Sequence, residues 1–290
     1  MVILAKLLKE LGVTTWLGHA LSPLMGLLGL PGSMGLVWAT AMLTNLYGGL
    51  AVFATLGPDA RLTVAQVTVL ATVMLVAHNL PVELRIAQRA GPRLRFSALL
   101  RILGAFALGI ILDRTYALGG FLQRPNVALW NPRPSPPGLG AWALDQAESL
   151  ATIFLIILAL VLLLKVMERI GLTALIGKAL EPLLRLLGVS RTAAPLTVIG
   201  MTMGLAYGGG LIIEEARSGR MTEKDVFYSL ALLGLCHSLI EDTLVMATLG
   251  AHHSGILWGR MAFTLAAVYA MVRIVERIPT TTFHRFFLRP

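Results

Sequence analysis

The residues best suited to chemistry stand at the end of an apolar run, in the stretch CHSLIED that spans Cys236–Asp242. If this stretch is helical, His237 and Glu241 are four residues apart and share a face, so the imidazole and the carboxylate could pair, relay a proton or hold a cation together. Carboxylates inside a membrane span are costly and usually face a protein interior or a watery path. The alternative is that these side chains have already reached the membrane interface, where charge costs little.

A second stretch of the same type, AHNLPVE, lies 159 residues earlier and ends at Glu83. His78 aligns with His237, and Glu83 aligns with Asp242. Pro81 interrupts a helix in this copy, so the two copies are alike but not equivalent. The two stretches supply the polar candidates for binding a solute, which are His78, Asn79, Glu83, His237, Ser238, Glu241 and Asp242.

The same offset relates most of the two halves of the chain. Leu11–Gly29 overlays Ile170–Gly188 through shared glycine, proline, threonine and leucine positions, and Arg101 overlays Arg260. We therefore expect one unit written twice: an amphipathic helix, a span interrupted by glycines, a polar turn, a span that ends in histidine, and a further span. Whether the two copies are parallel or inverted in the membrane stays open, because the basic clusters point both ways.

The repeat predicts four regions along the chain. These are a first repeat at 1–114, a proline-rich extramembrane linker at 115–147, a second repeat at 148–275 and a C-terminal tail at 276–290. The second copy has a full apolar helix, Leu150–Glu168, ahead of its amphipathic segment, whereas the first copy has only Met1–Glu10 in that place. We therefore expect that a complete helix once preceded, or still precedes, Met1.

Glycines recur at the interruption in each copy. A glycine inside a helix costs about 1 kcal/mol relative to alanine, so these positions must serve a purpose. One interpretation is a broken helix whose free backbone groups face a ligand; the other is close packing of helices through small residues. The backbone candidates for binding are Tyr47, Gly48, Gly49, Tyr207, Gly208 and Gly209.

Composition places these motifs in a membrane. The chain has 290 residues, is 56% hydrophobic and only 13% charged, and has a mean hydropathy of +0.78. Apolar runs approach the roughly 20 residues that a helix needs to cross the hydrocarbon, and no alternating strand pattern appears, so the fold class is an all-α polytopic membrane protein. The seven runs are Met34–Gly57, Thr63–Leu80, Phe96–Leu112, Leu150–Val166, Ala193–Ile213, Val226–Ile240 and Ile256–Val275.

Several function classes are disfavoured. The net charge of +9 comes from short clusters between apolar runs, which suit membrane orientation and lipid headgroups better than nucleic acid. A single cysteine, Cys236, excludes an internal disulfide and a CxxC motif. The chain has no HExxH, Walker A, GxSxG or dinucleotide motif, so we expect no enzyme, no cofactor and no metal site.

The paired units, together with LAYGGG at Leu205–Gly210, CHSLIEDT at Cys236–Thr243 and HNLPVE at His78–Glu83, resemble the Gate or nucleoside-recognition membrane family. This family includes spore maturation proteins A and B and relatives of gating segments in nucleoside transporters. The resemblance implies a transporter-like protein with broken helices, but it leaves the solute open because the members handle unlike cargoes. The chain lacks the cysteine ligands expected of an iron permease in this family.

These observations predict a multi-pass protein of the bacterial inner (cytoplasmic) membrane. It would move a small polar or amphiphilic solute, with proton or cation coupling, through a site between the two repeats. The alternatives are an envelope-lipid transporter or flippase, and a membrane assembly subunit that transports nothing. The expected partners are the lipid bilayer and a small solute or lipid, without nucleic acid, and a homo-oligomer stays open.

Overall fold

The computed structural model describes residues 11–129 and 138–289, and these residues form helices joined by turns. In chain order the helices are α1 (Val13–Gly26), α2 (Met34–Leu43), α3 (Leu46–Ala60), α4 (Val64–Val76), α5 (Leu80–Ala90), α6 (Leu94–Gly119), α7 (Leu139–Arg169), α8 (Leu172–Leu186), α9 (Ala193–Met203), α10 (Leu205–Arg217), α11 (Glu223–Leu235), α12 (Glu241–Thr248), α13 (Arg260–Val275) and α14 (Thr280–Phe287). A π-helical turn, Ser254–Gly259, leads into α13. The expectation about Met1–Glu10 and the middle of the predicted linker, 130–137, lie outside the described residues.

The predicted repeat appears in the order of the helices, where α1 to α6 correspond in turn to α8 to α13. α4 and α11 begin and end at positions that differ by the same 159 residues that relate the two histidines. Each of these two helices begins with a capping box, in which the hydroxyl of Thr63 or Thr222 accepts a hydrogen bond from the backbone N–H three residues later. Equivalent helices therefore begin with the same local chemistry.

The predicted interruptions are present, but they fall just before the Tyr-Gly-Gly sequences. α2 ends at Leu43, and Asn45 caps α3 by accepting a hydrogen bond of 2.9 Å from the N–H of Gly48. In the second copy Gly204, with φ 96° and ψ 160°, separates α9 from α10. This conformation is open almost only to glycine. The Tyr-Gly-Gly residues therefore lie in the first turns of α3 and α10.

Among residues 11–129 and 138–289, four stretches are long and apolar enough to cross a membrane, namely Val64–Ala90, Leu94–Gly119, Ala143–Arg169 and Ser254–Val275. The other apolar runs are divided between shorter helices. With 13 residues, α11 extends about 20 Å, which is less than the roughly 30 Å of hydrocarbon. The chain is thus an all-α polytopic membrane protein in which some helices cover only part of the membrane thickness.

The chain packs into two compact units. The first comprises Met1–Asn79, Ala105–Leu162 and Thr243–Ile256, and the second comprises Leu80–Gly104, Leu163–Asp242 and Leu257–Pro290. Each unit is built mainly from one repeat and takes in a segment that follows the histidine of the other repeat. The second unit therefore contains residues of both repeats. The region boundaries predicted from the sequence follow the repeats rather than this packing, and they stay a prediction.

The first unit has a buried aromatic centre and polar links between its segments. The Trp38 indole N–H donates to the Ala77 carbonyl at 3.1 Å, and its ring meets the edge of Phe106 with a centroid separation of 5.0 Å. The Asn126 amide donates to the Leu249 carbonyl at 2.8 Å. These bonds fix the end of α4 and attach the segment contributed by the second repeat.

The second unit has a larger aromatic centre around Phe227. Its ring lies 4.7 Å from Phe96, 5.2 Å from Phe283 and 5.5 Å from Phe287, measured between centroids. A buried hydrogen bond of 2.8 Å joins the hydroxyl groups of Thr197 on α9 and Ser229 on α11. The packing of α11 against the start of α6 and against α14 is thus dominated by aromatic contacts.

The break at Gly204 gives a first prediction. An alanine at this position would have to adopt a backbone conformation that is strained for any residue with a side chain. Its Cβ would also lie 2.9 Å from the Ser238 hydroxyl oxygen. We expect Gly204→Ala to lower the free energy of unfolding by about 1–3 kcal/mol, measured by thermal unfolding of the purified protein in detergent.

Gly210→Ala is the matched control. Gly210 lies in the helical part of α10, with no atom within 4 Å of the added Cβ. It should leave stability unchanged or raise it by up to about 1 kcal/mol. Equal effects of the two substitutions would contradict the assignment of Gly204 as the obligatory break.

Candidate functional site

The second unit buries a carboxylate, a guanidinium and an imidazole side by side. Glu83 lies in the first turn of α5, Arg101 lies in α6, and His237 follows the last turn of α11. Their exposed fractions are 5%, 1% and 2%, respectively. Glu83 and Arg101 come from the first repeat and His237 from the second, so this site joins the two repeats within one unit.

Glu83 is shared between the two basic groups. Arg101 Nη1 donates to Glu83 Oε2 in a buried salt bridge, and the other carboxylate oxygen, Oε1, lies 3.4 Å from His237 Nε2. A separation of 3.4 Å is long for a hydrogen bond and short enough for a strong charge interaction in a buried site. Arg101 is permanently charged, whereas the charge on His237 depends on one proton.

The position of that proton follows from the second ring nitrogen. His237 Nδ1 lies 2.8 Å from the Leu233 carbonyl. A carbonyl oxygen can only accept, so Nδ1 must carry a hydrogen and donate it. Nε2 is therefore the nitrogen that faces Glu83. Protonation pairs an imidazolium with the carboxylate, and deprotonation turns a lone pair toward it.

A break in the backbone holds His237 in this place. α11 ends at Leu235, Ser238 has a left-handed φ of 45°, and the N–H of Leu239 donates to the Met201 carbonyl at 2.6 Å. The chain thus leaves the end of α11 and is fixed to the end of α9 before α12 begins. This geometry aims the imidazole back along α11 and into the unit.

One sequence expectation is corrected by this break. His237 and Glu241 do not share a helix face, because α11 ends at Leu235 and a new helix begins at Glu241. A carboxylate that contacts His237 in the second unit is Glu83, which comes from the other repeat. Glu241 is half-buried in the first turn of α12.

Asp242 and Arg260 are the repeat mates of Glu83 and Arg101, and they are also buried in the second unit. Asp242 lies beside Glu241 in the first turn of α12, where a helix N-terminus favours a carboxylate. The positive groups that act on its carboxylate are His237 and Arg260. The second unit therefore buries both repeat-related pairs of a carboxylate and an arginine together with His237.

The first unit repeats the histidine geometry. His78 Nδ1 lies 3.0 Å from the Met74 carbonyl, so Nδ1 donates here as well. Asn79 has a left-handed φ of 48°, and its N–H donates to the Ala41 carbonyl at 2.9 Å. The two breaks are thus built alike, as the paired sequences predict.

The glycine candidates lie at helix crossings. A Cβ on Gly49 would lie 2.6 Å from Met74 Cε and 2.9 Å from Ala41 Cβ, and a Cβ on Gly208 would overlap the backbone of Gly200. One at Gly209 would lie 2.6 Å from Ile86 Cγ2. These contacts favour the packing role for three of the glycines, while the breaks themselves are made by neighbouring residues.

The remaining candidates at these breaks have different surroundings. The N–H of Gly48 caps α3 through Asn45. Tyr47 is 37% exposed in the first turn of that helix. The side chain of Tyr207 lies outside the described residues, so its role stays a prediction.

Sequence reasoning missed the two buried arginines. Arg101 and Arg260 match in the repeat, and each stands within an apolar run. An arginine at such a position needs a buried partner, so the matched pair was the available signal.

A small cavity lined by Glu83, Arg101 and Gly234 has a volume of about 10 Å³, which is room for about one water molecule.

Comparisons with known proteins agree with the motifs. Residues 150–252 match the model of the Gate family, which is described as nucleoside recognition. Over 255 residues the chain is 29% identical to the uncharacterized membrane protein YvoD of Bacillus subtilis (strain 168), an alignment that covers 86% of this chain and 79% of YvoD. No solved structure matches the chain. The resemblance to the Gate family is confirmed over residues 150–252, and the chain is a membrane protein with apolar helical spans.

The buried ion pair gives a second prediction. Removing only Arg101 leaves the Glu83 carboxylate buried without its guanidinium, so we expect Arg101→Ala to lower the free energy of unfolding by about 3–5 kcal/mol. The double variant Glu83→Leu with Arg101→Met removes both charges and should recover most of this loss. Chemical unfolding of the purified protein in detergent measures both effects.

Arg95→Ala is the matched control, because Arg95 is an exposed arginine on the same helix. Its removal should change the free energy of unfolding by no more than about 0.5 kcal/mol. An Arg101→Ala variant as stable as Arg95→Ala would show that the ion pair does not organise this unit.

Proposed function

Because this membrane protein matches the Gate family over residues 150–252, we propose that it transports a small polar solute, with a proton on His237 as the coupling ion. The membrane would be the bacterial cytoplasmic membrane. The observation that carries the proposal is the Glu83 carboxylate placed between Arg101 and His237, with the two repeats meeting inside one unit.

Proton coupling follows from the charges of this group. With His237 protonated, the imidazolium and Arg101 both attract Glu83, and α5, α6 and the end of α11 are held together. Loss of the Nε2 proton removes one attraction, while the ion pair between Glu83 and Arg101 remains. A change of one proton thus favours one of two arrangements of the same helices, as a coupled transporter requires.

The broken helices supply groups for the solute. Where α11 ends and α12 begins, carbonyl groups and N–H groups at the helix ends lack partners within their own helices. Membrane transporters use such half-helix ends to bind polar groups near the middle of the membrane. The Ser238 hydroxyl lies at this break and adds a donor that can also accept.

The first solute class to test is the nucleosides. The matched family model is described as nucleoside recognition, and nucleosides combine sugar hydroxyl groups with a polar ring, which suits helix ends, Ser238 and charged side chains. Transport makes and breaks no covalent bond, so we assign no catalytic residue. The bilayer is the other expected partner.

Uptake of radiolabelled uridine and adenosine by proteoliposomes under an imposed pH gradient tests the proposal. We expect Glu83→Gln and His237→Ala to lower gradient-driven uptake by about 5- to 100-fold, the usual size of a lost coupling between two sites. His237→Ala should also abolish the dependence of the remaining uptake on pH.

His19→Ala is the control, because His19 is an exposed histidine on α1, far along the chain from the site. It should leave uptake unchanged. Uptake that is equal in His237→Ala and the wild type would sink the proton role. If neither nucleoside enters but a fluorescent phospholipid changes leaflet, the lipid-transporter alternative is favoured, and the absence of both activities favours an assembly subunit.

A further inference from the structure

A second pocket in the second unit lies away from the Glu83 site and is lined by arginines. Its volume is about 260 Å³, and the larger apolar side chains of its lining, here called the apolar wall, are Ile213, Met221, Val226 and Leu288. The charged lining consists of Arg89, Arg217, Arg289 and Glu223. The proposed transport function does not use any of these four side chains.

The three arginines come from three separate segments that the fold brings together. Arg89 lies at the end of α5, Arg217 ends α10, and Arg289 follows α14. α10 packs against α5, with Gly209 lying beside Ile86. The pocket is therefore a product of tertiary structure and not of a basic run in the sequence.

The C-terminal tail is fixed in place by backbone hydrogen bonds. The N–H of Arg93 donates to the Phe287 carbonyl, and the N–H of Arg289 donates to the Gly91 carbonyl, each at 2.8 Å. Arg93 Nε also donates to the Leu288 carbonyl at 2.6 Å. With Phe287 packed on Phe227, this pairing holds Arg289 at the rim of the pocket.

The charges of the pocket are unbalanced. Within 11–129 and 138–289, no carboxylate lies within 4.0 Å of the guanidinium groups of Arg89, Arg217 or Arg289. Glu223 is directed in part to His284, whose Nε2 lies 3.0 Å from Glu223 Oε2. Three permanent positive charges thus face one carboxylate that already has a basic neighbour.

The chemistry that fits this arrangement is a phosphate group. Guanidinium groups bind phosphate oxygens through paired N–H donors, and they do so best when several converge on one space. The apolar wall beside them suits a ligand that is anionic at one end and apolar at the other. Basic pockets near the membrane surface bind phospholipid headgroups in this way.

We propose that the Arg89–Arg217–Arg289 pocket binds a phosphate group, either that of an anionic phospholipid headgroup or that of a soluble phosphate. The surrounding segments carry further exposed basic residues, Arg85, Arg95 and Arg285, as expected of a face at the membrane surface. The apolar wall favours the lipid, and the test separates the two sources.

Ligand-induced thermal stabilisation of the full chain in neutral detergent measures this binding. The probes are dioleoylphosphatidylglycerol, dioleoylphosphatidylcholine and inorganic phosphate, each titrated separately. We expect stabilisation by phosphatidylglycerol that exceeds that by phosphatidylcholine. Each of Arg89→Gln, Arg217→Gln and Arg289→Gln should weaken the apparent affinity by about fivefold. The triple variant should lose about 100-fold.

Two further variants test the direction of the charge effect and provide a control. Glu223→Gln removes the negative charge of the pocket and should tighten binding severalfold. Arg277→Gln removes an exposed arginine of the same unit that does not line the pocket, and it should leave the affinity unchanged.

The outcomes distinguish a lipid headgroup from a soluble phosphate, and they also show whether the site exists. Arginine-dependent stabilisation by phosphatidylglycerol alone assigns a lipid headgroup, and the same dependence with inorganic phosphate assigns a soluble phosphate as well. Equal losses in Arg277→Gln and the pocket variants would show diffuse surface attraction and overturn the site, as would no effect of any probe. Nucleoside uptake is measured separately, so failure of the transport proposal leaves this result standing.

Discussion

The buried Glu83 carboxylate is the constraint around which the second unit is built. A carboxylate taken out of water must regain several kcal/mol through charges and hydrogen bonds, and a single well-placed guanidinium is the usual compensation. Arg101 provides it from the next helix, so α5 and α6 must fold back on each other across the turn between Ala90 and Leu94. His237 then has to lie where the second carboxylate oxygen points, which fixes the end of α11 in the same group.

This requirement explains why the second unit contains a segment of the first repeat. Glu83 and Arg101 both lie on the segment Leu80–Gly104, which belongs to the second unit. There the pair packs beside His237, at the helix break of the other repeat. The reciprocal segment, Thr243–Ile256, belongs to the first unit. The two copies are not chemically identical, because the second has an aspartate in place of glutamate and lacks the proline that starts α5 in the first. A repeat with such differences can place two similar breaks in a membrane and surround them with different side chains.

The features that depend on local sequence pattern could be predicted from the sequence. The contacts between helices that are brought together by the tertiary fold could not. Helix identity, the equivalence of the halves and the polar breaks at His78 and His237 follow from hydropathy and from the 159-residue offset. The shared helix face of His237 and Glu241 was wrong, because a regular helix through Cys236–Asp242 was assumed and the chain breaks there. The pairing of Glu83 with Arg101, across 18 residues and a turn, needs the tertiary contact of two helices, which no periodicity encodes. The position of each glycine break was displaced by a few residues for a similar reason, since Asn45 and Gly204 decide where the next helix starts.

The two sites of the second unit share one helix. α5 carries Glu83 in its first turn and Arg89 near its end, and six residues of helix separate them by only about 9 Å along the axis. A helix this short behaves as a rigid rod, so the proposed phosphate at Arg89 and the proposed proton between Glu83 and His237 would both act on the same element. If the proposed phosphate favours one position of α5, it would also favour one protonation state of His237, because coupling between sites is reciprocal. The lipid surface and the proton would in that case act on solute movement through one shared helix, and Gly209 against Ile86 is the contact by which α10 follows that helix.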